Sequence, residues 1–312
     1  MPEAVMAKKR RTAAEKKRIK KLKLRLAAFI VALIISLIGW GFFNARVVHV
    51  KYADVNVRGL SMFLEGSKIL FMSDFKISDQ DDAVRSANLI KGFLQMEPDI
   101  IILGGDYTAN KMSDLFRLQS QEGKNEIALR LREARKTFFT ELQPVTARVQ
   151  VYAVAGDQDS EVEGLFEDCA LGGVKLIENA VEYVPVKSNY IALVGYGDIL
   201  TGGSANFKFK GPTTNDPVIA VTHNPDAYPL VTSVMDFEGN AIADLVLSGH
   251  VMGPQIRLFG LDLFKGYTGQ YKAGVYSEAG SHLIVSSGVG TQWLPIRFGS
   301  RAQAHMITLY RK

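Results

Sequence analysis

A single cysteine, Cys169, is all the thiol chemistry this 312-residue chain holds. That excludes an internal disulfide, a cysteine-built zinc cage and an iron–sulfur site. Glycine (28) and proline (10) stand near ordinary frequencies, and 47% of residues are apolar. This is a globular composition, neither collagen-like, disordered nor coiled-coil. The chain also lacks a basic body. Its formal charge of +5 sits in residues 1–26, which carry 11 Lys/Arg against Glu3 and Glu15, while the rest holds 26 Lys/Arg and 30 Asp/Glu. A nucleic-acid binder shows its charge as a basic face on the folded domain, so no nucleic-acid partner is expected.

Long apolar runs are absent except for one. Leu26 to Phe43 reads LAAFIVALIISLIGWGFF, 18 residues without a charge. At 1.5 Å per residue it spans roughly 27 Å, about a bilayer core. Trp40, Phe42 and Phe43 cluster at its far end, where aromatic rings favour the interface. A cleaved signal would end in small residues, whereas this run ends FFNAR. An uncleaved anchor is predicted, with the bilayer as a partner. The basic stretch Lys8 to Arg25 should stay cytoplasmic, leaving the chain from residue 44 outside.

Beyond the anchor, Arg46 to Val57 alternates like a half-exposed strand. Then five short apolar runs each stop on an acid or a histidine: ILFMSD at Asp74, DIIILGGD at Asp106, VYAVAGDQD at Asp157 and Asp159, VIAVTH at His223, and ADLVLSGH at His250. Such runs suit strands buried on both faces. Helical patterns lie between the early ones, over Ala83–Met96 and over Met112–Glu141 with a break near Gly123. Strand–helix alternation predicts a mostly parallel sheet, whose ligand site lies beyond the strands' carboxyl ends. The five endings should therefore converge, and carboxylates with imidazoles form the ligand set of a divalent metal. His49, His282 and His305 fall within strand patterns and read as structural. Arg297 reads as a candidate contact for an anionic substrate or as half of a structural salt bridge.

The blocks SDFK, GGDYT, GDQD, THNP and SGHVMGPQIRLFG occur in that order. On them, residues 66–312 resemble the calcineurin-like metallophosphoesterases, in particular a membrane-anchored bacterial subgroup. The resemblance implies a four-layer α/β/β/α sandwich, here preceded by one transmembrane helix. With the charge pattern and the apolar run, the chain divides into a basic tail (1–25), an anchor (26–43), a linker with the first strand (44–65) and the domain (66–312). The resemblance also implies two metals bridged by Asp106. The first would take Asp74, a histidine where Lys76 stands, Asp106, and a histidine where Met252 stands. The second would take Asp106, Asp157, His223 and His250, all competent ligands. One site reads as dismantled to Asp74, Lys76 and Met252, and the other as intact. Pro254 interrupts the loop that follows the last motif.

The expectation is therefore one divalent ion, manganese, zinc or iron, with the Lys76 ammonium standing between Asp74 and Asp106 in place of a second. No organic cofactor is implied. Lys76, Gln158 and Asp159 are the candidate catalytic residues. Gln158 replaces the family's histidine and donates a hydrogen bond without transferring a proton. The implied activity is hydrolysis of a phosphate mono- or diester, on an envelope lipid, a cell-wall polymer or a nucleotide. The alternative is an inactive module that binds phosphate or metal through the same pocket.

Overall fold

The computed structural model describes residues 12–200, 216–253, 255–258, 261–262 and 269–312. Residues 1–11 of the basic tail and Pro254 lie outside the described residues. The chain opens with helix α1 (Ala13–Arg46), whose first turn is closed by a reciprocal cap between Thr12 and Glu15. It is long and apolar enough to cross a membrane, and its apolar stretch is almost wholly exposed. Strand β1 (Val48–Val57) follows, then β2 (Ser67–Met72), α2 (Gln80–Phe93), β3 (Ile100–Leu103), α3 (Gln121–Thr140), α4 (Gln143–Thr146) and β4 (Gln150–Ala153). Next come α5 (Leu165–Leu171), β5 (Lys175–Leu176), β6 (Ala180–Val186), β7 (Asn189–Gly195), β8 (Val218–Val221), α6 (Tyr228–Thr232) and β9 (Leu245–Ser248). The chain closes with the small hairpin β10 (Arg257–Leu258) and β11 (Leu261–Asp262), then β12 (Gly274–Glu278), β13 (Ser281–Val285) and β14 (Ala302–Arg311).

Two six-stranded mixed sheets face each other, in the orders β1-β14-β2-β3-β4-β5 and β12-β13-β9-β8-β7-β6. Strands β2 to β5 are parallel to one another, as are β7, β8, β9 and β13. Burial on both faces explains the uninterrupted apolar runs. In β2, Ile69 and Phe71 join the inter-sheet core with Ile219, Val221, Leu245 and Leu247. Leu70 and Met72 point the other way, under Ala83, Ala87 and Ile90 of α2 and Phe138 and Phe139 of α3. The outer face of the second sheet is covered by Tyr228 and Val231 of α6 and by Tyr271. The layers are α/β/β/α, with a thin fourth layer among the described residues.

Two expectations need correction. The charged stretch from Met112 is not one broken helix. Residues 112–119 form short 3-10 turns, and α3 starts at Gln121 with Ser120 as its cap. Its Gly123 sits where a Cβ would come within 2.2 Å of the Arg117 carbonyl oxygen. Arg297 is neither a substrate contact nor half of a salt bridge. Wholly buried, it donates to the carbonyl oxygens of Gly290, Ser287, Gly288 and Met252. Burial lowers its pKa to about 10, which still leaves it charged at neutral pH.

Candidate metal centre

The five polar endings lie where β2, β3, β4, β8 and β9 stop, and the chain turns sharply at several of them. Asp74, Lys76, Asp106, His250 and Met252 all adopt positive φ, between +40° and +65°. Left-handed backbone costs a non-glycine residue about 1 kcal/mol or more. Five such residues around one locus mark it as a place where side-chain direction outranks local comfort. Gly105, at φ +88°, permits the closest approach, because a Cβ there would lie 2.6 Å from the Gly156 nitrogen.

Each side chain has a definite anchor. His223 is fully buried, and its Nδ1 donates to the Gly104 carbonyl at 2.6 Å. That bond turns Nε2 inward, to 3.1 Å from Asp157 Oδ1 and 3.3 Å from Asp106 Oδ2. His250 Nδ1 lies 2.8 Å from the same Asp157 oxygen. One ligand atom from each of Asp106, Asp157, His223 and His250 lies within 4.8 Å of the other three.

Asp159 is buried and turned away from that cluster. Its carboxylate accepts the backbone N–H groups of Asp106 (2.7 Å), Tyr107 (2.9 Å) and Gly156 (2.8 Å). Both oxygens accept backbone N–H groups, so Asp159 ties the two loops together. Gln158 donates its backbone N–H to Asp106 Oδ1 at 3.0 Å, while its side chain is half-buried.

Lys76 Nζ is buried directly on Asp106 Oδ2. The expected position between two carboxylates is only half realised, because no hydrogen bond joins Lys76 to Asp74. Asp74 Oδ2 instead accepts from Ser73 Oγ (2.8 Å) and from the His250 backbone N–H (3.1 Å), and its buried Oδ1 has no partner. Met252 is buried, and its carbonyl accepts from Arg297 and Ser300. Sequence reasoning missed Ser73 and the Gly104 carbonyl. A serine directly before the first aspartate was a visible signal for the former; a backbone acceptor carries none.

The electrostatics follow from burial and neighbours. Burial alone would lower the His223 imidazolium pKa, but the facing Asp106 and Asp157 outweigh it and push it well above the ordinary value. Burial would raise the Asp106 carboxyl, yet His223 and Lys76 hold it below the usual range. Asp157 is lowered for a similar reason, burial being outweighed by the facing His223 imidazole and by His250. Lys76, which burial would neutralise, is kept charged by Asp106 and Asp74. Burial dominates at Asp74 and raises it, and at Asp159 it raises the carboxyl to about 6.

A divalent cation fits this arrangement. His223 Nε2 is buried and makes no hydrogen bond, despite two carboxylates beside it. Two imidazoles and two carboxylates are a donor set for a borderline or hard divalent ion. The Gly104 carbonyl, by holding Nδ1–H, leaves Nε2 as the ligating atom once it is deprotonated.

No family model matches the chain. The "Transmembrane protein with metallophosphoesterase domain" of Danio rerio is 25% identical over 301 residues, covering 90% of this chain and 62% of that protein. The match thus spans less than two thirds of that relative's length. The "Phosphodiesterase YaeI" of Escherichia coli is 26% identical over 253 residues, 78% of this chain and 82% of its own. The "Uncharacterized metallophosphoesterase YkuE" of Bacillus subtilis is 25% identical over 252 residues, 78% and 79% of the two chains. These relatives support the calcineurin-like metallophosphoesterase family for this chain. Among solved structures, the match to the calcineurin-like phosphoesterase YfkN of Bacillus subtilis covers 72% of this chain and 82% of that chain, at 12% identity and a TM-score of 0.40. That likeness is too distant to add to the assignment. Proteins of that family use divalent metals, and the cluster of Asp106, Asp157, His223 and His250 is a candidate site for one.

Proposed function

We propose that the chain is a membrane-anchored, metal-dependent phosphoesterase with one divalent ion, held by Asp106, Asp157, His223 and His250. The Lys76 ammonium serves in place of a second. The observation that carries this reading is the burial of Lys76 Nζ on Asp106, beside four converging ligand atoms. When bound, the ion supplies Lewis acidity, polarising a phosphoryl oxygen and lowering the pKa of water. Manganese, zinc and iron all accept this donor set.

The protein's own residues do the rest. Lys76 presents a fixed positive charge from a buried position, where it attracts a phosphoryl oxygen more strongly than it would in bulk solvent. Asp159 orients the loops that carry Asp106 and Asp157. The Gln158 amide can donate to a substrate oxygen but cannot deliver a proton, so the leaving group takes its proton from solvent. Loss of a general acid typically costs about 10²–10⁴ in rate, so slow turnover is expected. The substrate is a phosphate mono- or diester, and the name of the Escherichia coli relative supports an ester of the second kind.

In this reading residues 26–43 anchor the chain, residues 1–25 stay cytoplasmic by their positive charge, and residues 66–312 face outward. Protease added to intact cells should then remove the domain and spare the tail; the opposite pattern reverses the orientation. A second reading, binding without turnover, draws support from Gln158, which has no proton to give. Hydrolysis of mono- and diester probes by the purified full chain, with manganese, zinc and iron in turn, separates the two. Metal-dependent turnover that His223→Ala removes supports the hydrolase. An ion-loaded chain that is inert on every probe leaves the binding module.

A further inference from the structure

The end of α1 is packed against the domain. The Gly41 carbonyl accepts the Arg297 N–H at 3.0 Å, and a Cβ on Gly41 would meet Ile296 at 2.4 Å. No side chain larger than hydrogen fits that contact, so the helix and the 291–298 loop touch directly. The loop reads Trp293-Leu294-Pro295-Ile296. Trp293 is held at φ +63°, with its carbonyl accepting the Met112 N–H at 3.1 Å. An apolar loop pinned in a strained conformation beside the last turn of a membrane-length helix suits an interface, not bulk water.

Next to this contact lies a cavity of about 380 Å³, walled by Ala45 and Arg46 of α1 on one side and by Lys76 on another. From Phe43 to Arg46 a helix rises about 4.5 Å. Each headgroup layer of a bilayer is roughly 5–7 Å deep, so this wall falls at headgroup height. The lining carries four cations, Arg46, Lys76, Arg85 and Lys111, and two carboxylates, Asp79 and Asp82, with Lys76 paired to Asp106 behind the wall. Both carboxylates are engaged: Asp79 caps α2 and holds Lys111, and Asp82 accepts from Ser78 and pairs with Arg85 at 2.8 Å. Arg46, exposed at the helix end, makes no ion pair among the described residues.

We propose that this cavity receives the phosphate-bearing headgroup of a lipid still seated in the bilayer, with its phosphate at Arg46 and Lys76. The inference rests on the phosphoesterase reading and narrows its substrate to a membrane phospholipid. Acyl chains remain beside Trp40 and Phe43 while the headgroup enters the cavity that Arg46 and Lys76 both line. A soluble ester gains nothing from this placement. A bilayer lipid, already confined to the plane of the cavity mouth, gains effective concentration.

The test uses the full chain in nanodiscs of phosphatidylcholine containing a minority of phosphatidylglycerol. Lipid retained per chain after transfer to detergent is read by mass spectrometry, and bound divalent metal is measured on the same samples. Wild type should enrich phosphatidylglycerol severalfold. Arg46→Gln should cut that enrichment about fivefold, the worth of one arginine near a charged membrane surface. Ser113→Trp, at an exposed position on the cavity wall, should abolish it without altering charge or metal content. Soluble glycerol phosphate should not displace the lipid. No enrichment, enrichment that survives Ser113→Trp, or displacement by glycerol phosphate at comparable concentration would overturn the proposal. One ion per chain without enrichment sinks this inference and leaves the phosphoesterase reading standing. Enrichment without any ion keeps the headgroup site and sinks that reading.

Discussion

Replacing Lys76 with methionine removes the ammonium from Asp106 while keeping the stem's volume. In the metal-free protein it strands a buried carboxylate whose remaining cationic neighbour is His223. Breaking a buried pair from one side costs about 3–5 kcal/mol. For a domain of this size that is a fall in Tm of roughly 6–20 °C. The three carboxylates Asp74, Asp106 and Asp157 are balanced by Lys76 and one divalent ion, so the ion should compensate part of what the lysine did. Saturating metal should therefore shrink the loss to less than half. By linkage, Lys76→Met should bind the ion at least tenfold more tightly than wild type. The assay is thermal unfolding of the full chain with and without metal, paired with calorimetric titration. Equal destabilisation in both conditions, or weaker metal binding by the variant, would refute the view of Lys76 as a charge stand-in.

Two further outcomes follow from the same geometry. Arg297→Lys keeps a charge but leaves carbonyls of Ser287, Gly288 and Gly290 short of donors. At about 1–3 kcal/mol for each unpaired group, it should destabilise the domain by about 3 kcal/mol or more in a denaturant titration and weaken metal binding through the Met252 loop. His223, whose imidazolium is stabilised well above its ordinary pKa, should release close to one proton when metal binds at neutral pH, measurable by calorimetry in buffers of different ionisation enthalpy. In the metal-free protein its contribution to stability is fully present below the unfolded value near 6.5 and is lost as pH rises through the raised native value.

Much of the centre was legible because short strands buried on both faces leave a clear pattern, an apolar run ended by one polar residue. That pattern located Asp74, Asp106, Asp157, His223 and His250, and the parallel strands of two facing sheets, not of one, carried them to one end. Other features depend on contacts between distant segments. Nothing local marks β14 as the strand that enters antiparallel to β2 and parallel to β1. Nor does the tetrapeptide PIRF disclose that Arg297 would satisfy backbone carbonyls instead of a carboxylate. The start of α3 was misjudged because 112–119 shares the charge and spacing of a helix; the Ser120 cap and the close approach at Gly123 set the true boundary. The loop-tying hydrogen bonds of Asp159 were equally invisible, because a carboxylate that ties loops and one that meets a ligand look alike in sequence.

The most direct test is the number of ions per chain. Elemental analysis of the full chain saturated with manganese or zinc should give one divalent ion, lost in His223→Ala and in His250→Ala. Lys76→His combined with Met252→His should raise the count to two, because it returns imidazoles only to the positions where the family's other ion would sit. Two ions per chain in the wild type, or a double variant that still binds one, would contradict the one-metal account.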